Sequence, residues 1–206
     1  MSVDRGELYR NARLRIGELV SDDVGTIPVA ATPLWNVHDV VAHLAGIAED
    51  RVNGNMAGAP GSEWTAAQVE RGRSKSVSEL VAGWAESARP LEELLSTPAG
   101  LAAARSVLDI HTHESDLRTA LGLPLQLPDG FVEWMSPLMV EGFHEAVSAA
   151  GLAPVEVDAS TSEFFRGRLG RRTEVEVRGY AWSADPTPYL DTWFIFGRAE
   201  HSLGEA

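Results

Sequence analysis

The chain has 206 residues, enough for one sizeable core or for a main domain with a smaller second one. Its formal net charge of −13 speaks against a nucleic-acid or anionic-membrane partner, because phosphates would be repelled over most of the surface. The absence of cysteine excludes disulfides, a thiolate nucleophile from the chain and cysteine-ligated zinc. With no apolar run of membrane-spanning length and no signal-peptide core at the start, the expected location is the cytoplasm.

The first half of the chain is predicted to form helices. Apolar residues at three- and four-residue steps predict a first helix over 8–20. Asn36 is a good N-cap, and Asp39 three residues on is the acidic half of a capping box, so a second helix is expected to reach residue 52. A third helical stretch covers about 65–95 and is expected to break near 72–76.

The fourth predicted helix ends near 121–124 and carries a metal-ligand pattern. Asp109 and His113 are four residues apart, roughly 40° around an α-helix, so their side chains share one face. A carboxylate and an imidazole at that spacing suit a divalent transition metal, although two ligands rarely hold one. The best candidate for a third ligand is His43, which lies among apolar residues on the buried side of the second helix.

Four helices with short connections predict a four-helix bundle, in which metal sites are built from inward side chains on facing helices. A further helix over 131–150 completes a helical domain of residues 1–150. Alternating apolar and polar residues at 155–158 and 174–178 predict two strands, and with them a small α+β domain over 151–206 that ends with a short helix up to residue 196. The basic residues between the strands are expected to form a solvated turn, with an acidic ligand as the alternative; they are Arg166, Arg168, Arg171 and Arg172.

Other residues near the metal-ligand pattern have weaker assignments. His111 lies roughly 200° from Asp109 around the helix and is expected to be partly exposed. Glu114 points about 100° away from His113, so it is not a clear general base. Asp116, one turn after His113, either orients that histidine or binds backbone. Trp35 is the tryptophan expected to line a cleft.

Two segments carry a resemblance to a known family: Trp35 with Asp39-Val40-Val41-Ala42-His43-Leu44-Ala45-Gly46, and His113-Glu114-Ser115-Asp116-Leu117-Arg118-Thr119-Ala120-Leu121-Gly122. They resemble the mycothiol-dependent maleylpyruvate isomerase family, within the DinB-like metal-binding bundles. The tail, with Val177-Arg178-Gly179 and Phe196-Gly197-Arg198, is similar to the family's small C-terminal α/β domain.

The resemblance implies a set of site residues. It places the family's two histidine ligands at His43 and His113, and its acidic ligand, a glutamate in the best-known member, at Asp109. An aspartate reaches one methylene less far than a glutamate. The resemblance also implies a functional arginine in the C-terminal domain, for which Arg198 and Arg178 are the candidates.

The leading hypothesis from the sequence is a metal-dependent, mycothiol-dependent isomerase or thiol S-transferase. The metal, expected to be zinc, would bind the sulfur of mycothiol at an open position, and arginines would bind the carboxylates of a small acidic or electrophilic substrate. Two alternatives stay open. One is a metal hydrolase on the same scaffold, for which the sequence offers no clear general base, and the other is a non-catalytic module that binds a small ligand.

Overall fold

The computed structural model describes residues 3–205 and is mainly helical, as predicted. Its helices are α1 (Arg5–Leu19), α2 (Val37–Asn53), α3 (Ser62–Gly72), α4 (Val77–Leu95), α5 (Arg105–Ala120), α6 (Asp129–Ala149), α7 (Thr161–Arg168), α8 (Glu174–Arg178) and α9 (Leu190–Trp193). Short 3₁₀ helices cover Asp22–Val24, Pro98–Ala103 and Thr187–Tyr189. Two short strands, β1 (Val157–Asp158) and β2 (Ala181–Trp182), pair antiparallel. Across residues 3–205, no helix has both the length and the apolar character that crossing a membrane requires.

The first compact unit, Met1–Leu125, contains the predicted four-helix bundle. Helices α1 and α2 each pack against both α4 and α5, and α3 lies on the outside of α2. Capping boxes fix two of the helix starts. Asn36 and Asp39 bond reciprocally at the start of α2, and Ser76 and Glu79 do the same for α4, because their side chains satisfy backbone N–H groups that the first turn leaves unpaired.

The second compact unit, Gln126–Ala206, begins with α6. This helix was predicted to belong to the first domain, with the boundary after residue 150. In the structure α6 packs on α7 and α9, and its Phe143 ring lies 5.1 Å from Trp193 and 6.3 Å from Phe164. The apolar face of α6 therefore contributes to the core of the second unit.

The segment 174–178, predicted as a strand, is helix α8. Thr173 and Glu176 form a capping box at its start. Val177 is fully buried while Val175 is 80% exposed, so the two valines lie on opposite sides, as a 200° rotation in a helix requires. A strand would place both on one face. An alternating pattern of five residues fits a strand or a short helix. The capping box was the sequence signal that favours the helix. The other predicted strand is present only as β1.

The prediction that the four arginines form a solvated turn is wrong, because all four are buried. Arg172 donates to both carboxylate oxygens of Glu163, at 2.6 and 2.8 Å, and both Arg172 and Arg166 donate to Glu205. Arg168 donates to the backbone carbonyl oxygens of Thr192 and Trp193, at 2.7 and 2.6 Å. These guanidinium groups tie α7 to segments far along the second unit.

Candidate metal centre

Two helices of the bundle hold the three predicted ligands. One face of α2 is buried and carries Val40, Val41 and Leu44. His43 lies on the same face, with 5% of its surface exposed. Asp109 and His113 lie one turn apart on α5, which packs against α2. The spacing that predicted a shared face therefore places both side chains opposite His43.

The three side chains converge on one point. His43 Nε2 lies 3.6 Å from Asp109 Oδ2, and His113 Nε2 lies 3.8 Å from Asp109 Oδ1. One ligand atom from each residue lies within 4.8 Å of those from the other two. The imidazole rings of His43 and His113 meet edge to face, with their centroids 5.3 Å apart.

In each histidine, the hydrogen-bond partner of Nδ1 determines whether Nε2 carries a proton or a lone pair. His113 Nδ1 lies 3.0 Å from the buried Asp116 carboxylate, and His43 Nδ1 lies 2.8 Å from Gln68 Oε1. Both partners are acceptor atoms, so each Nδ1 carries the proton and donates. Each Nε2 then presents its lone pair toward Asp109. Of the two roles left open for Asp116, the structure shows that it orients His113.

This donor set fits a divalent transition metal. Two imidazole nitrogens and a carboxylate oxygen are ligands that zinc accepts, and two atoms each about 2.1 Å from one cation lie about 3.4 Å apart at the tetrahedral angle. The two observed separations, 3.6 and 3.8 Å, are close to that value. The shorter reach of Asp109, compared with a glutamate, does not prevent its carboxylate from approaching both rings.

Trp35 lies against the cluster. Its ring centroid is 5.0 Å from that of His43 and 6.0 Å from that of His113. The backbone N–H of Val29 donates to the Trp35 carbonyl oxygen at 3.0 Å, which helps to hold the segment before α2 in place. Trp35 therefore lies beside the two candidate histidine ligands, and its lining of a cleft stays a prediction.

Neighbouring residues on α5 point elsewhere. His111 is buried, with 2% of its surface exposed, so its predicted partial exposure is wrong. Its Nδ1 donates to the Val107 carbonyl oxygen at 2.8 Å. Glu114 accepts from Arg15 Nε and from a terminal nitrogen of the same guanidinium, at 2.6 and 2.7 Å. This carboxylate is therefore engaged away from the cluster, which weakens the hydrolase alternative further.

A half-buried cation on α2 contacts α5 one turn from Asp109. Arg51, two turns after His43 on α2, donates from Nε to Ser106 Oγ at 3.2 Å. Ser106 lies one turn before Asp109 on α5, so the guanidinium approaches the same region of the bundle. Burial lowers the pKa of Arg51, an effect that the negative charge of Asp109 opposes. Among residues 3–205, no carboxylate forms a salt bridge with Arg51.

The two arginines suggested by the resemblance lie in the second unit and share a partner. Arg178 donates to Glu174 Oε1 at 2.7 Å and to Thr187 Oγ1 at 3.0 Å. Arg198 donates to the other oxygen of Glu174. Both side chains are partly exposed. Their proposed role in substrate binding stays a prediction.

One comparison with known proteins gives a family. The model of the mycothiol maleylpyruvate isomerase N-terminal domain matches residues 10–120. The chain belongs to this family. The matched range contains the three cluster residues and confirms the resemblance recognised from the two sequence segments. No curated protein and no solved structure shows a significant match.

For this member of the mycothiol maleylpyruvate isomerase family, sequence reasoning missed Gln68 and Arg51. Gln68 belongs to α3, and nothing in its local sequence distinguishes it from a surface glutamine. Its 1% exposure arises only because α3 packs against α2. Arg51 was assigned no role, although it follows His43 by eight residues, a spacing that keeps the two within about 80° around α2.

Proposed function

We propose that this chain is a divalent-metal-dependent enzyme that uses mycothiol as its thiol, acting as an isomerase or a thiol S-transferase on a small acidic electrophile. The observation that carries the proposal is the convergence of His43 Nε2, His113 Nε2 and the Asp109 carboxylate. Three protein ligands are the number found in catalytic zinc sites, which keep one further position open. Zinc is therefore the metal proposed.

The bound metal would supply a positive charge that stabilises the thiolate form of an external thiol near neutral pH. The thiol must come from outside because the chain has no cysteine. The protein's own contribution is orientation. Gln68 and Asp116 hold the two imidazoles with their Nε2 atoms inward, and Trp35 packs on both rings.

Recognition of an acidic substrate needs a local cation, because the net charge of −13 repels anions over most of the surface. Arg51 is well placed for this role in the first unit. Its guanidinium has donors beyond the one bonded to Ser106, and a planar guanidinium matches a carboxylate in a bidentate fashion. Arg178 and Arg198 remain further proposals, and they rest on the family resemblance.

Metal content tests the centre directly. The purified protein should contain about one divalent metal per chain, and His43→Ala and His113→Ala should each lose it while keeping the helical circular-dichroism spectrum. His144→Ala is the matched control, because His144 is a partly exposed histidine of the second unit. Full metal occupancy in both ligand variants, measured by elemental analysis, would exclude this centre.

Turnover tests the thiol. Zinc-loaded protein should accelerate the reaction of maleylpyruvate, or of a related unsaturated acid, only when mycothiol is present, and His113→Ala should abolish the acceleration. Glutathione should substitute poorly, because a site that hydrogen-bonds the sugar hydroxyls of mycothiol leaves polar groups unpaired without them. Absence of both thiol-dependent turnover and calorimetric binding of mycothiol would reject the proposal.

Arg51 can be tested in the same assay. Arg51→Gln should raise the Michaelis constant for an acidic substrate by about 10- to 100-fold, the cost of one charge-assisted hydrogen bond, with metal content unchanged. Arg89→Gln is the control, because Arg89 is an exposed arginine of α4. Equal Michaelis constants for the two variants would remove Arg51 from substrate binding.

A further inference from the structure

A buried chain of hydrogen bonds runs behind His43, away from the metal centre. His43 Nδ1 bonds Gln68 Oε1 at 2.8 Å, and Gln68 Nε2 donates to Asp50 Oδ2, also at 2.8 Å. The other oxygen of Asp50 accepts from Arg71 at 2.7 Å and from Asn55 Nδ2 at 2.9 Å. His43, Gln68 and Asp50 are each at most 5% exposed, so water does not compete for these bonds.

Asp50 determines the donor-to-acceptor direction of these hydrogen bonds. Asp50 receives donors from Arg71, Asn55 and Gln68, an arrangement that suits a carboxylate, which only accepts when ionised. Gln68 must therefore turn its NH₂ group toward Asp50, which leaves its carbonyl oxygen facing His43. A carbonyl oxygen also only accepts, so the proton of the neutral imidazole is held on Nδ1 and the lone pair on Nε2.

We propose that Asp50 and Gln68 are positioning residues that select the tautomer of His43 able to bind a metal through Nε2. The inference rests on the proposed function only for the identity of the metal centre. The selection of the tautomer follows from the hydrogen bonds themselves.

The two histidines are controlled in different ways. His113 donates directly to a carboxylate, that of Asp116, on its own helix. Between His43 and its carboxylate, Asp50, lies the amide of Gln68. The amide donates to Asp50 and therefore accepts from His43. An amide can turn by 180° and exchange its donor and acceptor ends, whereas a carboxylate has no donor end. The tautomer of His43 therefore depends on a residue that never touches it.

Asp50→Asn reverses the polarity with almost no change in shape. The new amide keeps an oxygen for Arg71 and presents its NH₂ group to Gln68. Gln68 then turns, accepts from position 50 and donates to His43 Nδ1, which moves the imidazole proton to Nε2. Metal affinity should fall by about 10- to 100-fold, the range typical for loss of the hydrogen-bonding group behind a ligand.

The double variant Asp50→Asn/Gln68→Glu should restore the original polarity. The new carboxylate at position 68 accepts from the amide at position 50 and from His43 Nδ1–H, so Nε2 regains its lone pair. The metal dissociation constant should return to within a few-fold of the starting value. Loss of packing alone predicts the reverse, since a second substitution would add damage to the first.

The closing experiment reads the tautomer directly. Imidazole ¹⁵N chemical shifts of the metal-free protein at pH 8, with His43 assigned by its loss in His43→Ala, should show protonated Nδ1 in the unsubstituted protein and in the double variant. Asp50→Asn should show protonated Nε2. Asn55→Ala is the control: it removes a donor to Asp50 without reversing the polarity, so the tautomer should not change.

The outcomes separate the two proposals. An unchanged His43 tautomer in Asp50→Asn, or no return in the double variant, overturns the positioning role even if the protein binds metal. The positioning role is supported if Nε2 is protonated in Asp50→Asn and Nδ1 is protonated in the other three proteins, which are the unsubstituted protein, the double variant and Asn55→Ala. If none of those proteins binds a metal, the same tautomer result still stands and only the proposed metal function fails.

Discussion

Among the titratable residues of α5, His111 is held neutral by its surroundings. It is buried, and its Nδ1 bonds a backbone carbonyl oxygen. Burial lowers its pKa from 6.5 to about 3, because an imidazolium there would lose its water. A charge at this position would oppose folding, which links stability to pH.

Acid should therefore destabilise the folded protein through His111. An unfolded histidine gains a proton as pH falls below about 6.5, whereas folded His111 gains one only near pH 3. The unfolded state is therefore favoured by acid, by at most roughly 1.4 kcal/mol per pH unit between those values. Urea unfolding of the metal-free protein between pH 7 and pH 5 should show this loss, and His111→Gln should have a smaller slope. Equal slopes would mean that another group dominates.

The convergence of the three candidate ligands was predictable from the sequence, and so was a role for Asp116 beside His113. The residues that support His43 were not predictable. Asp109 and His113 are neighbours on one helix, so their spacing alone determines that they share a face. Gln68 and Asp50 support His43 only because α3 turns back onto α2. A contact between residues 25 positions apart, such as that of His43 with Gln68, depends on tertiary packing that local patterns do not record.

At the scale of the element, α5 has no exposed side over its centre. Every residue from 110 to 117 is buried. The polar side chains within this range are satisfied locally, as when Thr112 and Ser115 donate to carbonyl oxygens one turn back, at 2.7 and 2.9 Å. Helical spacing predicts the angle between His111 and Asp109, but an angle does not reveal whether solvent or protein lies on that side.

The packing of α3 on α2 depends on Gly46. A Cβ atom at this position would lie 2.6 Å from Gln68 Cβ, so Gly46→Ala must push α3 away. The expected cost is about 1–3 kcal/mol of unfolding free energy, together with weaker metal binding, because Gln68 would no longer reach His43.

Gly83 provides the control for Gly46. It lies in the interior of α4, and a Cβ atom there meets nothing within 4 Å. Gly83→Ala should stabilise the protein by up to about 1 kcal/mol through helix propensity alone. Chemical denaturation and metal titration of both variants would check this, and similar behaviour of the two would contradict the packing argument.

At the scale of the whole chain, each compact unit has its own buried charges. In the first, Glu92 of α4 accepts from Arg10 and Arg13 of α1, at 2.9 and 2.8 Å. In the second, Arg166 and Arg172 share Glu205. These two arginines were predicted to be solvated, because the carboxylate that they share lies more than 30 residues away, beyond any local pattern.

Glu205 can be tested against an exposed neighbour. Glu205→Gln removes the charge that two buried guanidinium groups share, and breaking such a pair typically costs about 3–5 kcal/mol. Glu200→Gln, at an exposed position, should cost under about 0.5 kcal/mol. The loss should appear as a lower melting temperature in calorimetry. Equal melting temperatures for the two variants would show that the arginines are satisfied without Glu205.

The position of Trp35 has an optical consequence. Its ring centroid lies 5.0 and 6.0 Å from those of the two imidazoles that would hold a metal. Cobalt or copper ions quench an excited indole at such separations, whereas zinc does not. The difference in emission between the protein and Trp35→Phe isolates this one fluorophore from the other five tryptophans. The fold thus contains an intrinsic reporter by which ion exchange could be followed in real time, without label or substrate.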